Sequence, residues 1–456
     1  MSNSEISFGL GRRCINPKSP ASLAGYFNLR PWDHVLDDLE VRVLLLQKGE
    51  QQVGIIHFDL ITVPSALYEH ILATLAADPA CAAYSGKNLI IAATHTHTAP
   101  EVRRQNDGFA NDYCDLLAEQ TLAAFKQALG GMQKGKLAAT QTKDTRFIFN
   151  RRFWMKDGNV ITNPPKGDPN IVRPEGEIDP EIPMMVILKD EKPFVVITSI
   201  VNHTDTIGGC GVSADWPGFL RRDIEARLAP GAMLISLAGC SGNINHFDVY
   251  GSQNQTSYQT AERIGRGYAE SVAKALQELE AVNFSSIRLL QGQAVSGHRQ
   301  LTRAEIAEAE AVIQRFPDIS VSRESAKDIT SEDLAKKTPF ALKYFAVRLL
   351  ELRDIKEEYV FNLVGFELGH VFIASMPSEP FVEHGLRLRK SCFPQHICLV
   401  SSLANGTGNI KNGGGYIPNT WNYGRGGYET TPRSNPFAAD TGEKILAVWK
   451  KLADSL

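Results

Sequence analysis

No apolar run in this sequence reaches the roughly 20 residues that a membrane-spanning helix needs, so no integral membrane segment is expected. There is no Lys/Arg-rich stretch, and the net charge is -3. Nothing therefore supplies the basic field that nucleic-acid binding requires, and no nucleic acid is expected as a partner. The seven cysteines (Cys14, Cys81, Cys114, Cys210, Cys240, Cys392 and Cys398) contain no Cys-x-x-Cys pair. That spacing argues against both a thiolate zinc cluster and a disulfide framework. The opening "MSNSEISFGLGRRCINP" has no apolar core of the kind a secretory signal carries. Together with unpaired thiols, this gives the expectation of a cytoplasmic protein. Internal repeats and low-complexity tracts are absent too, which excludes solenoids and disordered tails.

What remains is an ordinary globular composition, 43% hydrophobic and 22% charged over 456 residues, enough to bury a large core. "EVRVLLLQKGEQQVGIIHFDL" reads as two strands around a polar turn, and "SALYEHILATLAAD" as a helix. The strand "KNLIIAATHTH" follows, then the amphipathic helix "NDYCDLLAEQTLAAFKQALGGM", stopped by Gly130 and Gly131. This alternation predicts an α/β fold with a mixed sheet. "RFIFNRRFWM", "PMMVILKDEKPFVVITSIVNHT", "AMLISLAGCSGNINHFD", "EYVFNLVGFELGHVFIASMPSEPF" and "ICLVSSLAN" add strands, and "DWPGFLRRDIEARLAP" and "SYQTAERIGRGYAESVAKALQEL" add helices. Residues 301–357 turn charged and helical and read as an insert within one domain spanning 1–456.

Several strand-like runs end in metal-binding or polar residues. "NLIIAATHTHTAPE" ends in His95 and His97, whose i, i+2 spacing turns both rings to one side of an extended chain. "VVITSIVNHTDT" ends in His203, "FIASMPSEP" in Glu379, and "ICLVSSLANGTGN" feeds a loop holding Tyr416. Each alone is a buried polar group satisfied by its neighbours. As a set of nitrogen and oxygen donors they suit Zn²⁺. Arg151 and Arg152 of "FNRRFW" are either anion ligands at this rim or a salt-bridged pair. In "GCSGNIN", Cys240 and Ser241 lie in a tight glycine turn that does not match the Gly-x-Ser-x-Gly nucleophile elbow.

The pieces "AATHTHTAP", "NRR", "VNHTDT", "SADWPG", "GCSGNIN", "SEPF" and "GYIPNTWNYGRGGYE" come in the order found in the neutral (neutral/alkaline, non-lysosomal) ceramidases. The sequence resembles that family over nearly its whole length, with "THTH" the most specific piece. The resemblance implies a mixed-sheet α/β catalytic domain carrying a zinc ion that hydrolyses an amide bond. It implies His95, His203, Glu379 and Tyr416 as metal ligands, Arg151 and Tyr428 as catalytic-site residues, and His97 as the residue that holds the first ligand or the metal's water. Three departures stand out. Asn245 occupies the position of the family's site serine, a catalytic domain without the β-sandwich domain that follows in ceramidases is expected, and the 301–357 insert has no counterpart.

The expected activity is hydrolysis of a C–N amide bond by metal-activated water, with Arg151, Tyr428 and Asn245 steadying the oxyanion and His97 transferring the proton. Two alternatives stay open: a metal-dependent hydrolase or lyase acting on a sugar or polar ester, and a metal-containing binding protein that has lost catalysis. Arg103, Arg104, Arg152 and Arg425 mix with Trp154, Trp421 and Tyr423 in the segments expected around the mouth. That mixture points to a small polar or anionic substrate in place of a sphingolipid.

Overall fold

The computed structural model describes residues 4–26, 30–103, 108–322, 325, 329, 333, 338–407, 415–432 and 434–456, with residues 108–111 described by backbone alone. Alternating apolar strands build a large mixed sheet, as the pattern predicts. Its order runs Met233–Ala238, Lys192–Ile200, Glu181–Lys189, Gln133–Lys143, Glu5–Cys14, Glu40–Lys48, Gln51–Phe58, Leu89–Ala93, with the short strand Glu280–Ala281 pairing off this path. The pair at each edge is parallel and the inner pairs are antiparallel.

The two faces of this sheet bury different partners. Val41, Val43, Leu45, Ile56 and Phe58 pack under the helices Ser65–Ala76 and Gly108–Gly130. Met184, Val186, Val196 and Leu234 pack under Asp215–Arg227 and Tyr258–Ala275 on the same side. Their neighbours Leu44, Leu46, Ile55, Met185, Ile187, Ile197 and Ile235 face the other way, against Val364, Phe366, Ile373 and Leu399 of a second sheet. That second sheet has the order Arg288–Gly297, Glu358–Leu368, Val371–Ser375, Ile397–Ser401. Its far face packs Phe361, Leu363 and Phe372 against Ile445 and Trp449 of the helix Thr441–Ala453. The result is four layers, helix–sheet–sheet–helix. Strands sandwiched on both faces are apolar along their length, which is why Leu89–Ala93, and Val371–Ser375 up to its final serine, read as apolar runs.

Two central strands, Glu5–Cys14 and Gln133–Lys143, carry no strand signal in the sequence reading. Glycine hides the first. A Cβ on Gly9 or Gly11 would overlap the carbonyl oxygens of Ala128 and Ala124, because the helix Gly108–Gly130 lies directly on this strand. The Gly11→Ala variant is expected to lose about 1–3 kcal/mol through overpacking against backbone that cannot retreat. Urea unfolding checks this, and an unchanged midpoint would mean the helix is not seated there. In residues 301–357, the helices Arg303–Arg315 and Pro339–Leu350 pack on each other. The second begins at Pro339 with Thr338 capping Ala341 N–H. Most of the segment 331–337, read from sequence as the start of that helix, lies outside the described residues.

The large sheet curls far enough that its two edge strands, Leu89–Ala93 and Met233–Ala238, touch. Residues at opposite ends of the strand order are thereby brought together. The Thr204 hydroxyl donates to Thr94 O at 2.7 Å, and His97 N–H donates to Thr204 O at 3.1 Å. Asn405 seals the gap from the second sheet, giving its N–H to Ile91 O and taking the Ile91 N–H on its side-chain oxygen. Among the described residues no helix is long and apolar enough to cross a membrane.

Candidate metal centre

The strand Leu89–Ala93 stops two residues before His95, and the chain then turns. His95 has φ +72°, a left-handed conformation uncommon for a residue with a side chain and characteristic of functional sites. The rings of His95 and His97 do share a side, with centroids 5.0 Å apart. The cause is this turn and not the pleat of an extended strand. The alternate residues Thr96 and Thr98 point away, both donating to Ser213 O at 2.8 Å.

His203 follows the strand Lys192–Ile200 and enters from the other edge. Its Nε2 lies 3.0 Å from His95 Nε2, and His97 Nε2 lies 3.5 Å from the same atom. Glu379, directly after Ser378 at φ +56°, brings Oε2 to 3.3 Å from His95 Nε2. All three imidazoles are buried. Their outer nitrogens are turned away from the centre. His95 Nδ1 donates to Ile61 O at 2.7 Å, and His203 Nδ1 faces Ser241 O at 3.4 Å.

Burial, and next the neighbouring His95, hold His97 and His203 well below the usual histidine pKa, so both are neutral imidazoles at neutral pH. Burial alone would raise Glu379; His95, Arg151 and His97 more than offset it and bring that carboxyl down to about 2. Neutral imidazoles and an ionised carboxylate, aimed at each other without solvent, require one positive species among them. Glu379 Oε2 is left buried without a hydrogen bond among the described residues. A divalent cation satisfies them all. Donors on a tetrahedron with bonds of roughly 2.0–2.1 Å stand about 3.3 Å apart, which matches the spacing found here. His95, His97 and His203 could thus hold an ion, with ligand atoms all within 4.8 Å of one another.

Tyr416 pairs in register with Glu379 on adjacent parallel strands, Glu379–Pro380 and Tyr416–Ile417. Its hydroxyl lies 3.4 Å from that of Tyr428. Burial, and then the nearby Glu379, push the Tyr416 phenol well up. The Arg151 guanidinium sits 5.4 Å from both tyrosine rings. It is fixed there by Gly242 O at 2.6 Å and by Glu429 Oε1 at 3.1 Å.

Arg152 does not reach the mouth. It is fully buried, paired with Glu175 and with the other oxygen of Glu429 at 2.8 Å. Glu429, itself fully buried and also bonded to the Thr162 hydroxyl, is the carboxylate that the sequence reading missed. Its only sequence signal is its place directly after Tyr428. Asn245 lies on a short strand paired with Phe149. Its amide donates to Asn163 at 2.8 Å, and its oxygen accepts from Phe247 N–H.

The glycine turn serves as scaffold. Ser241 offers its carbonyl to His203, Gly242 N–H bonds Pro380 O, and Cys240 packs in an apolar cluster where burial pushes its thiol well up. Around the rim, Arg103 grips Glu101 with two contacts of 2.8 and 2.7 Å, and Arg425 pairs with Glu175 and stacks over Trp154. Tyr423 is tied to Asn435 and lies under Arg299, whereas Trp421 and Tyr428 are exposed. Arg104 lies outside the described residues.

No protein-family profile and no curated protein sequence matches this chain. Solved structures do. The neutral ceramidase from Pseudomonas aeruginosa superposes with a TM-score of 0.71 at 16% identity, covering 98% of this chain and 74% of that one. A ceramidase complexed with C2 gives 0.69 at 15%, with the same coverage. The class defined by the layers is a mixed-sheet α/β protein. More particularly, the chain has a neutral ceramidase-like fold.

Proposed function

We propose that this protein is a zinc-dependent hydrolase that cleaves a C–N amide bond in a small polar substrate. The observation that carries the reading is the convergence of three buried imidazole nitrogens and the Glu379 carboxylate on one point that needs a cation. Nitrogen and oxygen donors without sulfur suit zinc. His95, His203 and Glu379 would hold the ion, with Tyr416 beside or on it. The ion supplies Lewis acidity towards the scissile carbonyl and a nucleophilic water at neutral pH. The whole chain acts as one catalytic unit, with residues 301–357 inserted.

The chain's own residues do the rest. Arg151, Tyr428 and Asn245 donate to the carbonyl oxygen as it gains negative charge. His97 takes a proton from the attacking water and returns it to the leaving nitrogen as the C–N bond breaks, giving a carboxylic acid and an amine. Asparagine cannot form an acyl-enzyme, so Asn245 in the serine position is consistent with water as the nucleophile. The rim arginines Arg103 and Arg425 keep glutamate partners. This favours recognition by hydrogen bonds and by the faces of Trp421 and Tyr428 over capture of an anion. A panel of N-acyl amino acids, N-acyl sugars and a short-chain ceramide tests the reading. Turnover is expected for a polar member, abolished by chelator and restored by zinc. Higher kcat/KM on the ceramide would refute the substrate class, and chelator-resistant turnover would refute the metal.

A further inference from the structure

Behind His97 lies a chain of groups that the proposed chemistry does not yet use. His97 Nδ1 is buried and has no hydrogen-bond partner among the described residues. The acceptor facing it is Asp205 Oδ1, at 3.6 Å, beyond hydrogen-bond distance. That same oxygen accepts from the Tyr26 hydroxyl at 2.7 Å. Tyr26 presents its ring edge-on to His97, with centroids 5.9 Å apart. Arg30 stacks 4.0 Å over the Tyr26 ring and donates to the carbonyl oxygens of Ala24 and His97. Gly25, at φ +92°, lies so close that a Cβ there would overlap the His97 ring. Residues 24–26 and Arg30 are thus moulded around one imidazole. Asp205 also stands two residues beyond His203, in the same i, i+2 relation that links His95 and His97.

We propose that Asp205, seated by Tyr26, is a positioning residue that fixes His97 as its Nδ1–H tautomer and so leaves the Nε2 lone pair facing the metal centre. A buried N–H needs an acceptor, and a sub-ångström shift of the ring or carboxylate closes the gap. A histidine with one nitrogen so engaged presents the other as the base, and its orienting partner governs which nitrogen carries the proton. The inference rests on the proton-transfer role given to His97 above.

The test reads the tautomer directly. Nitrogen–proton correlation spectra of histidine-labelled protein, with His97 assigned by the signals lost in His97→Gln, are expected to show Nδ1 protonated in the parent. Asp205→Asn can offer an N–H in place of the carboxylate. It is expected to abolish that pure state, to leave zinc binding within about threefold, and to lower kcat about 10²-fold at unchanged KM on an N-acyl amino acid, the scale of a lost general acid–base step. Asp205→Glu should recover part of both signals, and Tyr26→Phe should show the same changes more weakly. An unchanged tautomer in Asp205→Asn overturns the proposal, as does equal loss in Asp205→Asn and Asp205→Glu. If Asp205→Asn does not fold, Tyr26→Phe decides by the same spectrum. The tautomer is read without substrate, so failure of the hydrolase reading leaves this test standing and is told apart from it.

Discussion

His203→Ala is expected to lose its metal and its turnover while keeping its fold. The ring is held through Nδ1 near Ser241 O, and its Nε2 stands 3.0 Å from His95 Nε2. Removing it takes away one of the donors that needs a cation and leaves a cavity beside His95 and Glu379. Losing only an outer hydrogen-bond partner of a ligand costs about 10–100-fold in metal affinity, and loss of a direct donor should exceed that. Equilibrium dialysis against zinc measures the affinity, and near-UV circular dichroism the fold. Parent-like zinc affinity in His203→Ala would remove His203 from the ligand set.

Glu429→Ala is expected to be the most destabilising single change near the site. Glu429 is fully buried and shared by two arginines that are themselves buried. Arg152 keeps Glu175, but Arg151 is left with Gly242 O and no carboxylate. Breaking a buried ion pair by removing one partner costs about 3–5 kcal/mol, because a charge is stranded out of water. Urea unfolding reads this loss. Activity should fall as well, since Glu429 is what aims Arg151 between Tyr416 and Tyr428. A variant with parent stability would mean that water replaces the carboxylate and that Arg151 is held by other means.

The donor residues were legible in the sequence for a simple reason. Buried strands read as apolar runs, and polar atoms directly after such a run stand out, as at His95, His203 and Glu379. How they meet was not legible. His95 follows the edge strand at one end of the sheet order and His203 the strand next to the opposite edge, and only the curl of that sheet joins them. Curl arises from accumulated twist and leaves no local pattern. The helix on Glu5–Cys14 demanded glycines, which erased the β signal of a central strand. Gln133–Lys143 was hidden for a different reason, its many lysines and glutamines interrupting the apolar pattern. The second sheet as a separate layer also escaped the sequence, because strand runs do not say which sheet they join.

The pairing of charges was equally hidden. Arg151 and Arg152 are neighbours in sequence, and composition could not separate a surface pair from a buried one. The structure places both on Glu429, nearly 280 positions away in the chain. Asp205 carried a signal that went unused, since "NHTDT" repeats the alternation of "THTHT" with a carboxylate in place of the second imidazole. Tyr26 and Arg30 had none, because their contacts with Asp205 and His97 are all long-range.

The claim that a cation belongs among His95, His203 and Glu379 is tested most directly by metal analysis with X-ray absorption at the zinc edge on protein loaded with one equivalent of zinc. One ion per chain is expected, with only nitrogen and oxygen neighbours at roughly 2.0–2.2 Å, including imidazole scattering. Sulfur neighbours at about 2.3 Å, or failure to retain any ion, would contradict it.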